Sequence, residues 1–294
     1  MVSFKNLNIF SVFIFLLSLY SCQYSGQYEP IDYTNMVVEG WIDADKHPIV
    51  ILHTSYSLDA STPDDTPLID VLAEHMVLFG KVVIFDGEDS VTLTGRVDSN
   101  YMPPYIYTTT KMKGEVGKTY SLHATYQNYT AKARTEILDI ATFDSIRTVE
   151  HHEKLNVVGY ANNLEVGATY ILMARITTQH QYKICPTGAF RAKATNMAVT
   201  INNPLDFTGG GMMLQTLFPK TDSVDISIKF ARVGESEFQM WDSYIAQNLT
   251  QGMFFMETHS NILTNIDGGN GYWCGMGSSE YIISLKQDSL YTFD

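Results

Sequence analysis

Short runs of apolar residues, broken by polar turns, occupy most of this chain. Val37-Val38-Glu39-Gly40-Trp41-Ile42 and Ile49-Val50-Ile51-Leu52 are β-branched runs separated by a polar turn, which predicts two adjacent strands. Val82 to Phe85, then Asp86-Gly87, then Val91 to Leu93 predicts a hairpin, because Asp-Gly accepts the positive φ angles of a tight turn. Tyr120, Leu122, Ala124 and Tyr126 alternate with Ser121, His123 and Thr125, the period of a half-buried strand, and Gln127-Asn128 turns the chain into Thr130–Thr135. Further on, Tyr170–Ile176 predicts a buried strand. Val224, Ile226, Ile228 and Phe230 alternate with Asp225, Ser227, Lys229 and Ala231, and Tyr281–Leu285 reads as a closing strand.

Two segments depart from this period. Phe238, Trp241, Ile245 and Asn248 fall at helical spacing in Ser236–Asn248, with Ser236 as the expected cap. Leu68, Leu72, Met76 and Phe79 have the same spacing after Thr66-Pro67, a capping residue followed by a favoured first-turn proline. Strands, turns and few helices predict a mainly all-β protein. We expect an N-terminal Ig-like β-sandwich over 35–145. A second β-rich sandwich or barrel-like domain with one short amphipathic helix follows over 146–294. The boundary is placed where alternation lapses, between Ile137 and Asn156, around charged Glu150-His151-His152-Glu153-Lys154.

The start of the chain changes the picture. Lys5 is followed by an apolar run from Ile9 to Tyr20, shorter than the roughly 20 residues a bilayer span needs. A basic start, a short apolar core and a small residue at the cut point make a secretory signal. Leu19-Tyr20-Ser21-Cys22 resembles a bacterial lipobox, with Tyr20 bulkier than is usual. It predicts a signal peptide over 1–21, lipid on Cys22 and a tether over 22–34. Several acyl chains bury many methylenes at about 0.8 kcal/mol each and hold firmly where one chain does not.

Residues 1–21 carry Lys5 and no acid, so their removal makes the net charge of −13 one unit more negative. Such a chain is a poor partner for nucleic acid or anionic lipid surfaces. A 45% hydrophobic content supplies a packed core rather than a disordered stalk. Cys185 and Cys274 remain after Cys22, and export permits a bond between them if their α-carbons lie within roughly 7 Å.

Few residues carry recognisable chemistry. His151-His152-Glu153 lacks the HExxH spacing that sets two imidazoles on one helix face, and a solvated linker is the expectation. Asp267-Gly268-Gly269-Asn270-Gly271 offers too few oxygens for calcium. As a turn that presents Tyr272 and Trp273 it is a candidate ligand-binding loop, although Trp273 suits a core equally well. Tyr105, with Tyr101 and Tyr107 around Pro103-Pro104, is a candidate ligand-facing ledge or part of an edge strand. Gly209-Gly210-Gly211 lacks the lysine of a phosphate loop, and no serine sits in a GxSxG elbow. No catalytic residue, metal site or cofactor is expected.

"VVEGWI" (37–42), "GKVVIFDGEDSVTLTG" (80–95), "YMPPYIYTT" (101–109), "KGEVGKTYSL" (113–122), "FDSI" (143–146), "FARVGESEFQMWDSYIAQN" (230–248) and "SNILTNIDGGNGYWCGMGSSEY" (260–281) occur in this order. In that order and spacing they resemble the Bacteroidota lipoproteins that carry domain of unknown function 4249. The resemblance implies an outer-membrane lipoprotein beside a TonB-dependent receptor, acting as an accessory or capture component for a small-molecule or oligomeric nutrient. It carries over no catalytic residue. Glu29 is the only acid soon after Cys22, which leaves both the periplasmic and the cell-surface face open. A structural or adhesive envelope module and an envelope hydrolase are the alternatives.

Overall fold

The computed structural model describes residues 36–55, 73–204, 217–250 and 262–293. In chain order its strands begin with β1 (Met36–Asp43), β2 (Ile49–Thr54), β3 (Lys81–Phe85), β4 (Ser90–Thr92), β5 (Thr94–Val97) and β6 (Tyr105–Thr108). They continue with β7 (Thr119–Tyr126), β8 (Tyr129–Glu136), β9 (Ser145–His151), β10 (Lys154–Ala161), β11 (Thr169–Ile176) and β12 (Lys183–Arg191). After β13 (Met197–Ile201), β14 (Phe218–Pro219) and β15 (Asp225–Val233) comes the helix α1 (Glu235–Thr250). β16 (Asn270–Ser284) and β17 (Ser289–Thr292) close the chain.

These strands form three sheets, so the mainly β sandwich architecture expected from alternation is what the chain adopts. The largest runs β12-β11-β15-β16-β1-β2-β6-β5, and the smaller ones are the four-stranded β4-β3-β7-β8 and the five-stranded β13-β10-β9-β17, in which β14 also pairs with β10. Successive side chains of a strand face opposite ways, and β16 shows the result. Trp273 joins one core, with Met36 and Val38 of β1, Ile84 of β3 and Leu122 of β7. Tyr281 and Ile283, on the same face of β16, join a second core with Leu155 and Val157 of β10, Leu172 of β11 and Phe230 of β15. Thus the two small sheets lie side by side over one face of the large sheet. On the other face, Cys274 and Met276 meet Met240, Trp241 and Ile245 of α1.

Residues 34–294 form one compact unit. The boundary anticipated at 145/146 falls between two cores that share one continuous sheet, because β1 pairs in parallel with Asn270–Met276 of β16. The stretch expected as a linker is a hairpin. β9 pairs with β10, and His152 and Glu153 turn the chain at φ of 48° and 58°.

Hairpin β3–β4 and the Tyr126–Tyr129 turn stand where their residues predicted them. Helix α1 does too, but its first residue is Glu235. Ser236 therefore lies in the first turn and donates to Glu237 rather than capping, while the Gly234 carbonyl accepts from the Phe238 amide at 2.9 Å. Of the other helical expectation, Leu68 and Leu72 lie outside the described residues; residues 73–75 form a single helical turn, Met76 bridges His53, and Phe79 is exposed. Gly209–Gly211 and the tether also lie outside them.

The closing strand begins earlier than Tyr281. Gly271, at φ +98°, lies so close to the Val38 carbonyl that a β-carbon there would clash, and only glycine lets β16 start beside β1. β15 departs from a half-buried pattern as well. The five-stranded sheet covers one of its faces, and the other, carrying Ser227 and Lys229, is buried too.

Candidate functional site

Beyond the end of α1's coverage, the helix-side face of the large sheet holds a cavity of about 280 Å³. Alternation on the strands supplies its floor. β1 contributes Trp41 and Asp43, β11 contributes Met173 and Arg175, β15 contributes Lys229, and β16 contributes Tyr272, Met276 and Glu280. Trp241 of α1 walls one side. The rim comes from two loops: Tyr101 follows β5, and His180, Gln181 and Tyr182 precede β12. The loops meet where the Met102 amide donates to Gln181 Oε1 at 3.3 Å, and Tyr101 packs on Trp41 with centroids 6.1 Å apart.

A charged network sits in this floor. Lys229 is 4% exposed, and its Nζ donates to Asp43 Oδ2 at 2.7 Å. Ser278 Oγ donates to Asp43 Oδ1 at 2.9 Å. Glu280 lies 3.6 Å from Lys229 Nζ and pairs with Lys46 at its outer edge. The ammonium also lies 4.7 Å from the Tyr182 ring centroid. Burial works to discharge Lys229, but the charge and hydrogen bond of Asp43, with Glu280 behind them, outweigh it and raise its pKa. Burial likewise opposes ionisation of Glu280, yet Lys46 and Lys229 hold its carboxyl below the usual range. Burial pushes the phenols of Tyr101, Tyr182 and Tyr272 up, so none is a phenolate at neutral pH.

Arg175 stands apart from this balance. Its guanidinium stacks 4.8 Å from the Tyr182 centroid, and Nη1 donates to the Thr177 and Gln179 carbonyls. Among the described residues no carboxylate pairs with it, and its buried Nε has no acceptor.

The candidates expected from sequence disperse. Tyr272 lines the cavity. Its neighbour Trp273 faces the opposite way, fully buried, with Nε1 donating to the Tyr120 carbonyl at 2.9 Å, so it belongs to the core and not to a binding loop. Asp267 is exposed, and its backbone pairs with Lys132. Tyr105 donates to the Leu78 carbonyl at 2.7 Å in the β6 strand, away from the cavity. Because β5 lies outside β6, that strand is not an edge. Cys22 lies outside the described residues.

No bond joins Cys185 and Cys274, which are both free and buried. β12 and β16 stand three strands apart, about 14 Å. The two side chains also face opposite sides of the sheet. Burial raises both thiols well above the ordinary value. Consequently neither should react with a thiol reagent at pH 8 in the native protein, and both should react once urea unfolds it. Fast native labelling would contradict this packing.

Trp41, Asp43, Arg175 and Lys229 went unnoticed in the sequence. The available signal was Lys229 flanked by Ile228 and Phe230 in a strand followed at once by a helix able to cover its face. Comparison with protein families finds a match described as Domain of unknown function (DUF4249), over residues 26–282. No curated protein matches the chain.

Proposed function

Since the chain belongs to the DUF4249 family, whose name assigns it no activity, we propose, from its lipobox-like start, its cavity and what the resemblance implies, that it is an outer-membrane-anchored lipoprotein that captures a ligand beside a TonB-dependent importer. The observation that carries this reading is the cavity on the helix-side face. Capture calls for a preformed concave site with apolar walls and a few placed charges, and this site combines aromatic walls with a fixed ion network. The lipobox-like Leu19-Tyr20-Ser21-Cys22 supports the membrane address. Binding fits better than hydrolysis because Asp43 and Glu280, the cavity's two carboxylates among the described residues, are both committed to lysines.

The test is a pull-down from detergent-solubilised outer membranes with the intact lipidated protein. A TonB-dependent barrel should co-purify, and mass spectrometry should find acyl chains on Cys22. An unmodified thiol at Cys22 in material from the native host, or a strain lacking the protein with full uptake of every nutrient tied to the neighbouring receptor, would overturn the proposal.

A further inference from the structure

Resting on the capture reading of the same cavity, we propose that its ligand is a small organic carboxylate with a flat apolar body, its anion held by Arg175. Charge is the first argument. Lys46, Arg175 and Lys229 line the cavity against Asp43 and Glu280, so it is locally cationic in a chain of net charge −13. The ion pairs match Lys46 and Lys229 to the two carboxylates, which leaves Arg175 as the unmatched charge. Geometry is the second. Nη1 is spent on two backbone carbonyls, and Nε is buried without an acceptor. The edge of the guanidinium formed by Nε and Nη2 is the one that a carboxylate meets with two parallel hydrogen bonds.

Register gives the site two chemically different ends. Arg175 stands opposite Ser227, one inward position beyond the Met173–Lys229–Glu280 row. Trp41 and Tyr272 come from rows on the far side of Asp43 and Met276. At that aromatic end Tyr101 packs on Trp41. A flat apolar body therefore finds aromatic faces at one end while its anion reaches the guanidinium at the other. Stacking of Arg175 on Tyr182 holds that guanidinium in place before a ligand arrives.

The experiment is isothermal titration of the intact lipidated protein in nanodiscs with indole-3-acetate, indole-3-acetamide, inorganic phosphate and glucose. Indole-3-acetate should bind more tightly than its neutral amide by roughly ten- to a hundred-fold, the worth of a charge-assisted pair. Arg175→Met, which keeps the half-buried apolar stem, should reduce the acid to the affinity of the amide, and Arg175→Lys should retain part of the preference. Equal binding of acid and amide by the wild-type protein would overturn the assignment without any variant having to fold. Absence of acid binding, or an Arg175→Met protein that keeps both its melting temperature and its preference, would do the same. Preference for glucose or phosphate would sink the carboxylate assignment and leave capture standing, whereas failure of the barrel pull-down removes the importer partnership whatever the titration shows.

Discussion

Asp43→Ala is expected to destabilise the fold by about 3–5 kcal/mol, because it leaves the buried Lys229 ammonium without its hydrogen-bonded partner and with only Glu280, 3.6 Å away, to balance it. The charge cannot escape to water, since Lys229 is 4% exposed and held between Met173 and Glu280 in the register of the sheet. Ser278 Oγ loses its acceptor in the same change. Urea unfolding of the purified protein measures the effect. The double replacement Asp43→Leu with Lys229→Met should recover most of the loss, because an apolar pair of similar volume carries no desolvation penalty. If Asp43→Ala shifts the midpoint no more than a surface substitution does, the ion pair is not buried as described. The lysine pKa lies above its ordinary value of 10.5, so the pair's contribution is complete below that pH and is lost as pH rises through the folded-state value.

Trp273→Ala is expected to cost about 3–5 kcal/mol by a different route. The indole fills the centre of the core shared by β1, β3, β7 and β16, and a void there cannot collapse. Gly40 illustrates how tightly the ring is held: a β-carbon on it would lie 2.8 Å from Trp273 Cε3. Trp273→Phe should cost less, since a ring remains and the Tyr120 carbonyl loses only its indole donor. The same urea series ranks the two, and a near-neutral Trp273→Ala would return this residue to the binding loop.

Local pattern was legible and long-range pairing was not. The β3–β4 hairpin, β7, β11 and α1 could all be read from period and turn chemistry, because each depends on residues within a dozen positions. The parallel pairing of β1 with β16 joins Val37 to Asn270, and period-2 alternation states which face is apolar without naming the neighbour. That gap turned one molecule-wide sheet into an expectation of two separate domains. It also hid the cavity, whose floor comes from β1, β11, β15 and β16. Tyr272-Trp273 shows the limit at a single dipeptide. Adjacent residues on a strand face opposite ways, so only one could line the site, and composition did not say which. Alternation alone sets Lys229 on the face of its strand opposite Ile226, Ile228 and Phe230. It is dry because Asp43 and Glu280 reach it from other strands.

The fifteen residues of β16 serve both ends of the molecule, along β1 first and along β15 afterwards. A polypeptide synthesised from its amino end delivers β1 early and β16 almost last. Until that late arrival β1 has a bare edge and its core lacks Trp273. Folding is therefore not stepwise along the chain: the first half waits, open to chaperones and proteases, for the final strands to be made.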